Sequence, residues 1–325
     1  DYAHLLDIGR ERMDAVNKRS VADRLMRRLL AIVIPHAERF HLMMRLGGVA
    51  RLFAPVMPAS MKAALKKMPV RVGRLDKIGS KTVTFAARTQ SRRRVILLAG
   101  CAQRALDPGL NASTGRVRGK LGVDVTVRSE SYCCGALAHH IGEGDAAHEA
   151  MRANLLAWRE EIEAGDIDAI ITNTSGCGTI VKDYGHLAAG DPELADIAAT
   201  ISAMTRDITE YLGELPLETI IQQTKGGRGP VTYHSACSLQ HGQSVHDLPM
   251  QLLRLAGFEV RQPLEPHLCC GSAGVYNILQ PEMADKLKAR KLENLGKAGA
   301  PWIAAGNIGC IQQLGDALPV RHTIR

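Results

Sequence analysis

The chain has 325 residues, 46% of them hydrophobic and 23% charged, with a formal net charge of +8. That length accommodates two domains of ordinary size, and the composition excludes a disordered or fibrous chain. No apolar run approaches the roughly 18 residues that a bilayer-spanning helix needs, and no secretory signal is legible.

The charge is unevenly placed. Residues 1–94 hold 21 Lys/Arg against 7 Asp/Glu, whereas residues 95–325 hold 20 against 26. The basic excess therefore belongs to the N-terminal arm. The arm has few aromatics and no nucleic-acid motif, so nucleic acid is not expected as a partner. A basic helical arm suits an acidic partner or an anionic membrane surface, and a solvated basic face is the plainer reading.

Taken in order, the first predicted elements are short helices. The chain opens inside one (Tyr2, Leu5, Leu6, Ile8) without an initiator Met, which reads as a fragment or a processed form. Residues 24–30 and 40–46 place apolar side chains at helical spacing. Pro35, Pro55, Pro58 and Pro69 break this run, and residues 70–94, rich in Arg, Lys, Gly and Ser, read as a linker.

From residue 95 the chain repeats itself. Short β-type runs at 95–98, 123–127 and 169–172 lead towards Cys101, Cys133 and Cys177. Runs at 231–233, 258–260 and 302–305 lead in the same way towards Cys237, Cys269 and Cys310. Helical stretches at 146–163 and 281–295 separate the strands. Alternating strands and helices predict a mostly parallel α/β sheet in each repeat. The expected division is 1–94 as arm and linker, 95–225 as the first repeat and 226–325 as the second. Ligands of such sheets collect at the carboxyl ends of the strands, and each cysteine falls at such an end.

The eight cysteines make one pattern written twice. Cys101 precedes the pair Cys133-Cys134 by 32 positions, and Cys237 precedes Cys269-Cys270 by the same 32. Cys177 follows the first pair by 43 positions and Cys310 follows the second by 40. Buried small hydrophobes have no reason to repeat in register. Vicinal cysteines are poor disulfide partners for each other, and no export signal favours disulfides. Four thiols per repeat match the ligand count of an iron–sulfur cluster. Zinc also accepts thiolates, but usually from closely spaced knuckles, and a zinc-binding or docking scaffold remains the non-redox alternative.

Glycines and histidines flank the thiols. Gly135 and Gly271 follow the two pairs, where they allow positive φ or the close approach of a bulky ligand. Gly178 follows Cys177 at a turn into a helix, whose N-terminus favours an anionic group. His234 lies three residues before Cys237, and His241, His139, His140 and His267 are also near thiols. An imidazole can replace a thiolate or move a proton, although a supporting hydrogen-bonded histidine is the plainer reading. Gly135, Gly178, Gly271 and His234 are the cofactor-binding candidates, and the eight cysteines are the candidate metal ligands.

Cys-(x31)-Cys-Cys-Gly…Cys, twice, resembles the cysteine-rich CCG domain of heterodisulfide reductase and of iron–sulfur subunits of flavin-dependent dehydrogenases. The stretches Leu5-Leu6-Asp7-Ile8-Gly9-Arg10, Gly100-Cys101-Ala102-Gln103, Ser175-Gly176-Cys177-Gly178 and Val181-Lys182-Asp183-Tyr184-Gly185 are similar to the glycolate oxidase iron–sulfur subunit family. So are His267-Leu268-Cys269-Cys270-Gly271-Ser272-Ala273-Gly274 and Asn307-Ile308-Gly309-Cys310. The resemblance implies two tandem pseudo-symmetric CCG repeats after a helical basic arm. It implies an electron-transfer subunit of an oxidoreductase that oxidises glycolate to glyoxylate, with one or two clusters, [4Fe–4S] in type, in this chain. FAD would sit on partner glycolate oxidase subunits, in agreement with the missing dinucleotide fingerprint here. A quinone-type acceptor and a place on the inner face of the cell membrane, reached from the cytoplasm, are also implied.

Two departures from the family stand out. Its N-terminal ferredoxin-like motifs are not in this sequence, which reads as starting just after the last of their cysteines. Thr174 and Asn307 stand where heterodisulfide reductase has the first Cys of Cys-x-x-Cys, which leaves four thiols per repeat instead of five. The iron–sulfur subunit of a lactate or anaerobic glycerol-3-phosphate dehydrogenase, or heterodisulfide-type chemistry, is the related alternative.

Overall fold

The computed structural model describes residues 2–16, 19–51, 65, 72–87, 93–217, 227–315 and 317–323. The expected helix breaks at Pro55, Pro58 and Pro69 lie outside these residues. The first sheet contains β1 (Val83–Phe85), β2 (Arg93–Leu98), β3 (Val123–Val127), β4 (Ala169–Thr172) and β5 (Thr205–Asp207). The second contains β6 (Pro230–His234), β7 (Glu259–Arg261), β8 (Trp302–Ala305) and β9 (Val320–His322). Their orders are β1-β3-β2-β4-β5 and β7-β6-β8-β9. Every pairing is parallel except the antiparallel edge of β1 on β3. Without β1, both sheets run second-first-third-fourth, so the repeated cysteine spacing is a repeated topology. The expected α/β class with mostly parallel sheets is what forms. β1 lies within the stretch read as linker.

The strands are apolar on both faces because helices cover both. Along β2, Ile96 and Leu98 face one core with Leu155, Trp158, Ile170 and Tyr184, while Val95 and Leu97 face another with Val125, Ile171, Ile208 and Tyr211. Trp158 comes from the helix Gly144–Glu163 and is fully buried. In the second repeat Ile303, Leu295 and Leu314 pack around Cys270 and Cys310.

The arm forms α1 (Tyr2–Val16), α2 (Val21–Val33) and α3 (Ala37–Ala50). Ser20 caps α2 by accepting the Asp23 N–H at 3.2 Å, and Pro35 separates α2 from α3. Leu30, Ala31 and Ile34 pack with Ile141 of the first repeat and Val275 of the second, so α2 bridges the two. Leu25, Leu29, Leu42 and Leu46 stay exposed on the arm. No helix among the described residues is long and apolar enough to cross a membrane.

Asp207 ends β5 and caps the helix Ile208–Gly213, accepting the Thr209 N–H at 2.9 Å while its own N–H donates to Glu210 Oε2 at 2.8 Å. Burial pushes its carboxyl from 3.8 up to about 6. The folded chain therefore keeps a proton that the unfolded chain has lost across that window. The stability this confers is complete below 3.8 and is lost as pH rises through about 6. Asp207→Asn is expected to flatten that part of the pH–stability curve. Denaturant titrations at about pH 4 and pH 7 check this, and an unchanged slope contradicts it.

Candidate metal centre

The carboxyl ends of the strands bring each repeat's four thiols together. In the first repeat Cys101 and Cys133 lie 3.5 Å apart, Cys133 touches Cys134, and Cys134 touches Cys177. In the second repeat Cys237 touches Cys269, Cys269 touches Cys270, and Cys270 and Cys310 lie 3.2 Å apart. The chain of contacts, lone thiol to pair to last thiol, is the same in both. All eight cysteines are free, and these two sulfur separations are well beyond the ~2.05 Å of a disulfide bond.

Hydrogen bonding to Cys133 and burial push the Cys101 thiol well above its usual range. Cys134 receives a hydrogen bond from Cys133, yet Cys177 and burial hold it up. Thiols crowded in a dry pocket without a cation stay protonated, and a bound metal would displace those protons. In the second repeat, hydrogen bonds from Cys237 and Cys270 pull Cys269 down. Cys310 is held down to about 6 by Cys270 and by the His234 ring beside it. Four soft donors converging on one dry pocket fit an iron–sulfur cluster or zinc by donor chemistry.

Two glycines shape the paired thiols. Gly135 and Gly271 adopt φ of +83° and +87°, which L side chains rarely tolerate. Each turns its N–H back to the first thiol of its pair, at 3.5 Å to Cys133 Sγ and 3.3 Å to Cys269 Sγ. Gly178 serves a different contact, since a Cβ there would meet Thr172 and Gln243. Cys177 and Cys310 lie in the first turns of the helices Ser175–Lys182 and Ile308–Leu314, as the flanking glycines predict.

The repeats meet close to the thiols. Ser175 N donates to Gly306 O at 3.0 Å, and Ser175 Oγ lies 2.7 Å from Ser238 Oγ. Asn307 Nδ2 donates to both of these hydroxyls, at 3.1 and 3.2 Å. Its Oδ1 caps the last helix by accepting the Gly309 N–H at 2.8 Å. At the matching place in the first repeat, Thr174 donates to Gln103, which joins Asn111 and Asn173 in a buried amide network. The two positions that lack a family cysteine thus hold hydrogen-bonding residues.

His234 is buried beside Cys270 and Cys310. The other flanking histidines sit elsewhere: His139 Nε2 is 3.0 Å from Asp7 Oδ2 of α1, and these two with His140 form a partly exposed group on the first repeat. His4 of α1 is 2.8 Å from Asp183 and stacks on His186. Sequence reasoning missed Lys291, fully buried in the helix Pro281–Lys297, and Asn154, fully buried in the helix Gly144–Glu163. Asn154 donates to Cys133 O and to Tyr184 Oη, both at 2.8 Å, and Tyr184 donates to Cys134 O at 2.8 Å.

The comparisons with known proteins agree with this arrangement. Residues 95–182 and 231–315 match the family described as CCG, cysteine-rich domain. The chain is 35% identical over 327 residues to the glycolate oxidase iron-sulfur subunit of Escherichia coli, covering 99% of this chain and 75% of that protein. It is 28% identical to the probable glycolate oxidase iron-sulfur subunit of Bacillus subtilis, covering 96% and 72%. It is 25% identical to lactate utilization protein A of Geobacillus thermodenitrificans, over 61% of this chain and 80% of that protein. The chain therefore belongs to the CCG cysteine-rich domain family, in the group of the glycolate oxidase iron–sulfur subunits.

Proposed function

We propose that this chain is the iron–sulfur electron-transfer subunit of a flavin-dependent glycolate dehydrogenase. The observation that carries the reading is the pair of four-thiol chains, built alike at the carboxyl ends of two parallel sheets. Cys101, Cys133, Cys134 and Cys177 would hold one cluster, and Cys237, Cys269, Cys270 and Cys310 a second, each of the [4Fe–4S] type. Such a cluster accepts and releases single electrons, with its potential set by burial, charge and hydrogen bonds. Gly135 and Gly271 turn the vicinal thiols towards it, and the hydrogen-bonded seam holds the two sites in fixed relation.

The chemistry on glycolate is assigned to an FAD-binding partner subunit. This chain would carry electrons from that flavin towards a quinone-type acceptor. The exposed Leu25, Leu29, Leu42 and Leu46 on a basic helical arm support docking of the arm, either on a partner subunit or on an anionic membrane face. The division into arm (1–94), first repeat (95–225) and second repeat (226–325) follows the same logic, with β1 adding an edge to the first sheet.

Lactate oxidation is the competing reading, supported by the lactate utilization relatives, and substrate choice belongs to the flavin partner. The test is anaerobic. The full-length chain is co-purified with its flavoprotein partner, and the cluster absorbance is followed on adding glycolate, lactate or glycerol 3-phosphate. Bleaching by glycolate first and fastest is expected. Bleaching by lactate or glycerol 3-phosphate alone rejects the glycolate assignment.

A further inference from the structure

The two thiol sites differ in one side chain that the fold does not require. His234 is the last residue of β6, three positions before Cys237. The same place in the first repeat, the last residue of β2 three positions before Cys101, is Leu98. Both are 1% exposed. Leu98 joins the apolar core, so an apolar side chain satisfies the topology there. His234 instead places two ring nitrogens in the interior, and neither has a hydrogen-bond partner. A buried polar atom left unmet is costly, and the groups beside this ring are thiols of the site.

The geometry shows where a partner would sit. A His234 ring nitrogen, Cys270 Sγ and Cys310 Sγ all lie within 4.8 Å of one another. A ring nitrogen and two sulfurs so close and buried form a donor set that iron can use. A second feature of the same site favours an anionic occupant. Lys291 is fully buried, and its ammonium donates to Glu265 O at 3.0 Å and Pro266 O at 3.2 Å, on the segment leading into Cys269-Cys270. Gly135 packs on Ala147 and Gly271 on Ala284. Counted from those alanines, Asn154 holds the place of Lys291 in the first repeat. The second site therefore has an imidazole and a buried cation where the first has a leucine and a neutral amide.

We infer that His234 ligates iron in the second repeat in place of one of its four thiolates, making it a mixed imidazole–thiolate site, whereas the first repeat is ligated by thiolates alone. The inference rests on the proposal that the repeats hold iron–sulfur clusters. One ring nitrogen binds the metal. Exchange of this neutral donor for an anionic thiolate makes the site more negative and lowers its reduction potential.

The test is pulsed EPR on the partly reduced full-length chain labelled with ¹⁵N-histidine, with a potential titration beside it. A histidine nitrogen coupling is expected in the wild type and is lost in His234→Leu, the residue the first repeat already accommodates. His234→Cys is expected to keep its iron and to shift one midpoint potential downward. Full iron and sulfide with no histidine coupling, and potentials unmoved in both variants, overturns the ligand and leaves the cluster reading standing. Iron and sulfide that do not fall in Cys269→Ser/Cys270→Ser overturn the cluster reading for this repeat, and the ligand with it.

Discussion

Gly271→Ala is expected to destabilise the second repeat by about 2–5 kcal/mol and to lower its iron content. Two costs add at this position. The backbone sits at φ +87°, where a Cβ costs roughly 1–2 kcal/mol. The new methyl would also overlap the Ala284 carbonyl oxygen and meet its Cα at 3.2 Å. These are backbone atoms of the helix Pro281–Lys297, so they cannot swing aside, and overpacking of this kind costs roughly 1–3 kcal/mol. Gly135→Ala is the internal comparison. It has nearly the same φ, but its closest new contact is Ala147 O at 3.0 Å, which a small shift relieves. The expected order is therefore Gly271→Ala worse than Gly135→Ala, read from denaturant midpoints. Equal losses would mean that the strained turn alone sets the cost and that the Ala284 contact yields.

Replacing Cys269 and Cys270 together with Ser is expected to remove the second repeat's entire share of iron and sulfide and leave the first repeat's intact. The thiol chain from Cys237 to Cys310 passes through this pair, so both of its ends lose their neighbour. Serine hydroxyls are harder donors that do not substitute for soft thiolates. The thiol contacts of Cys101, Cys133, Cys134 and Cys177 stay within the first repeat. The folded chain should survive, because the change is close to isosteric. The mirror variant, Cys133→Ser with Cys134→Ser, should remove the complementary share. Iron unchanged in either variant would mean that repeat is not a cluster site.

The thiol geometry was legible in the sequence because three constraints coincide. Each cysteine follows an apolar run, each pair precedes a glycine, and the spacing repeats, so the parallel sheets could be counted before they were seen. The buried polar residues were not legible. Lys291 lies in a helix with Lys286, Lys288 and Lys297 and reads as one more solvated lysine. Only the third dimension shows it turned inward onto the backbone before Cys269. Asn154 is hidden in the same way inside an alanine-rich helix. The stretch 70–94 reads as linker because its charges and glycines mask β1, three residues long with exposed neighbours. It also hides Asp76, which accepts from Asn111 at 2.9 Å in the interior. Asn307 was noticed for the cysteine it replaces, whereas its present work is to cap a helix and join the two repeats.

The decisive experiment is to purify the full-length chain without oxygen and assay iron, acid-labile sulfide and zinc, in the wild type and in the two serine-pair variants. About four irons with matching sulfide are expected for each repeat, lost separately by the two variants, with no stoichiometric zinc. Zinc in the thiol sites, or iron and sulfide that neither variant diminishes, would contradict the cluster reading and leave the repeats as a docking scaffold.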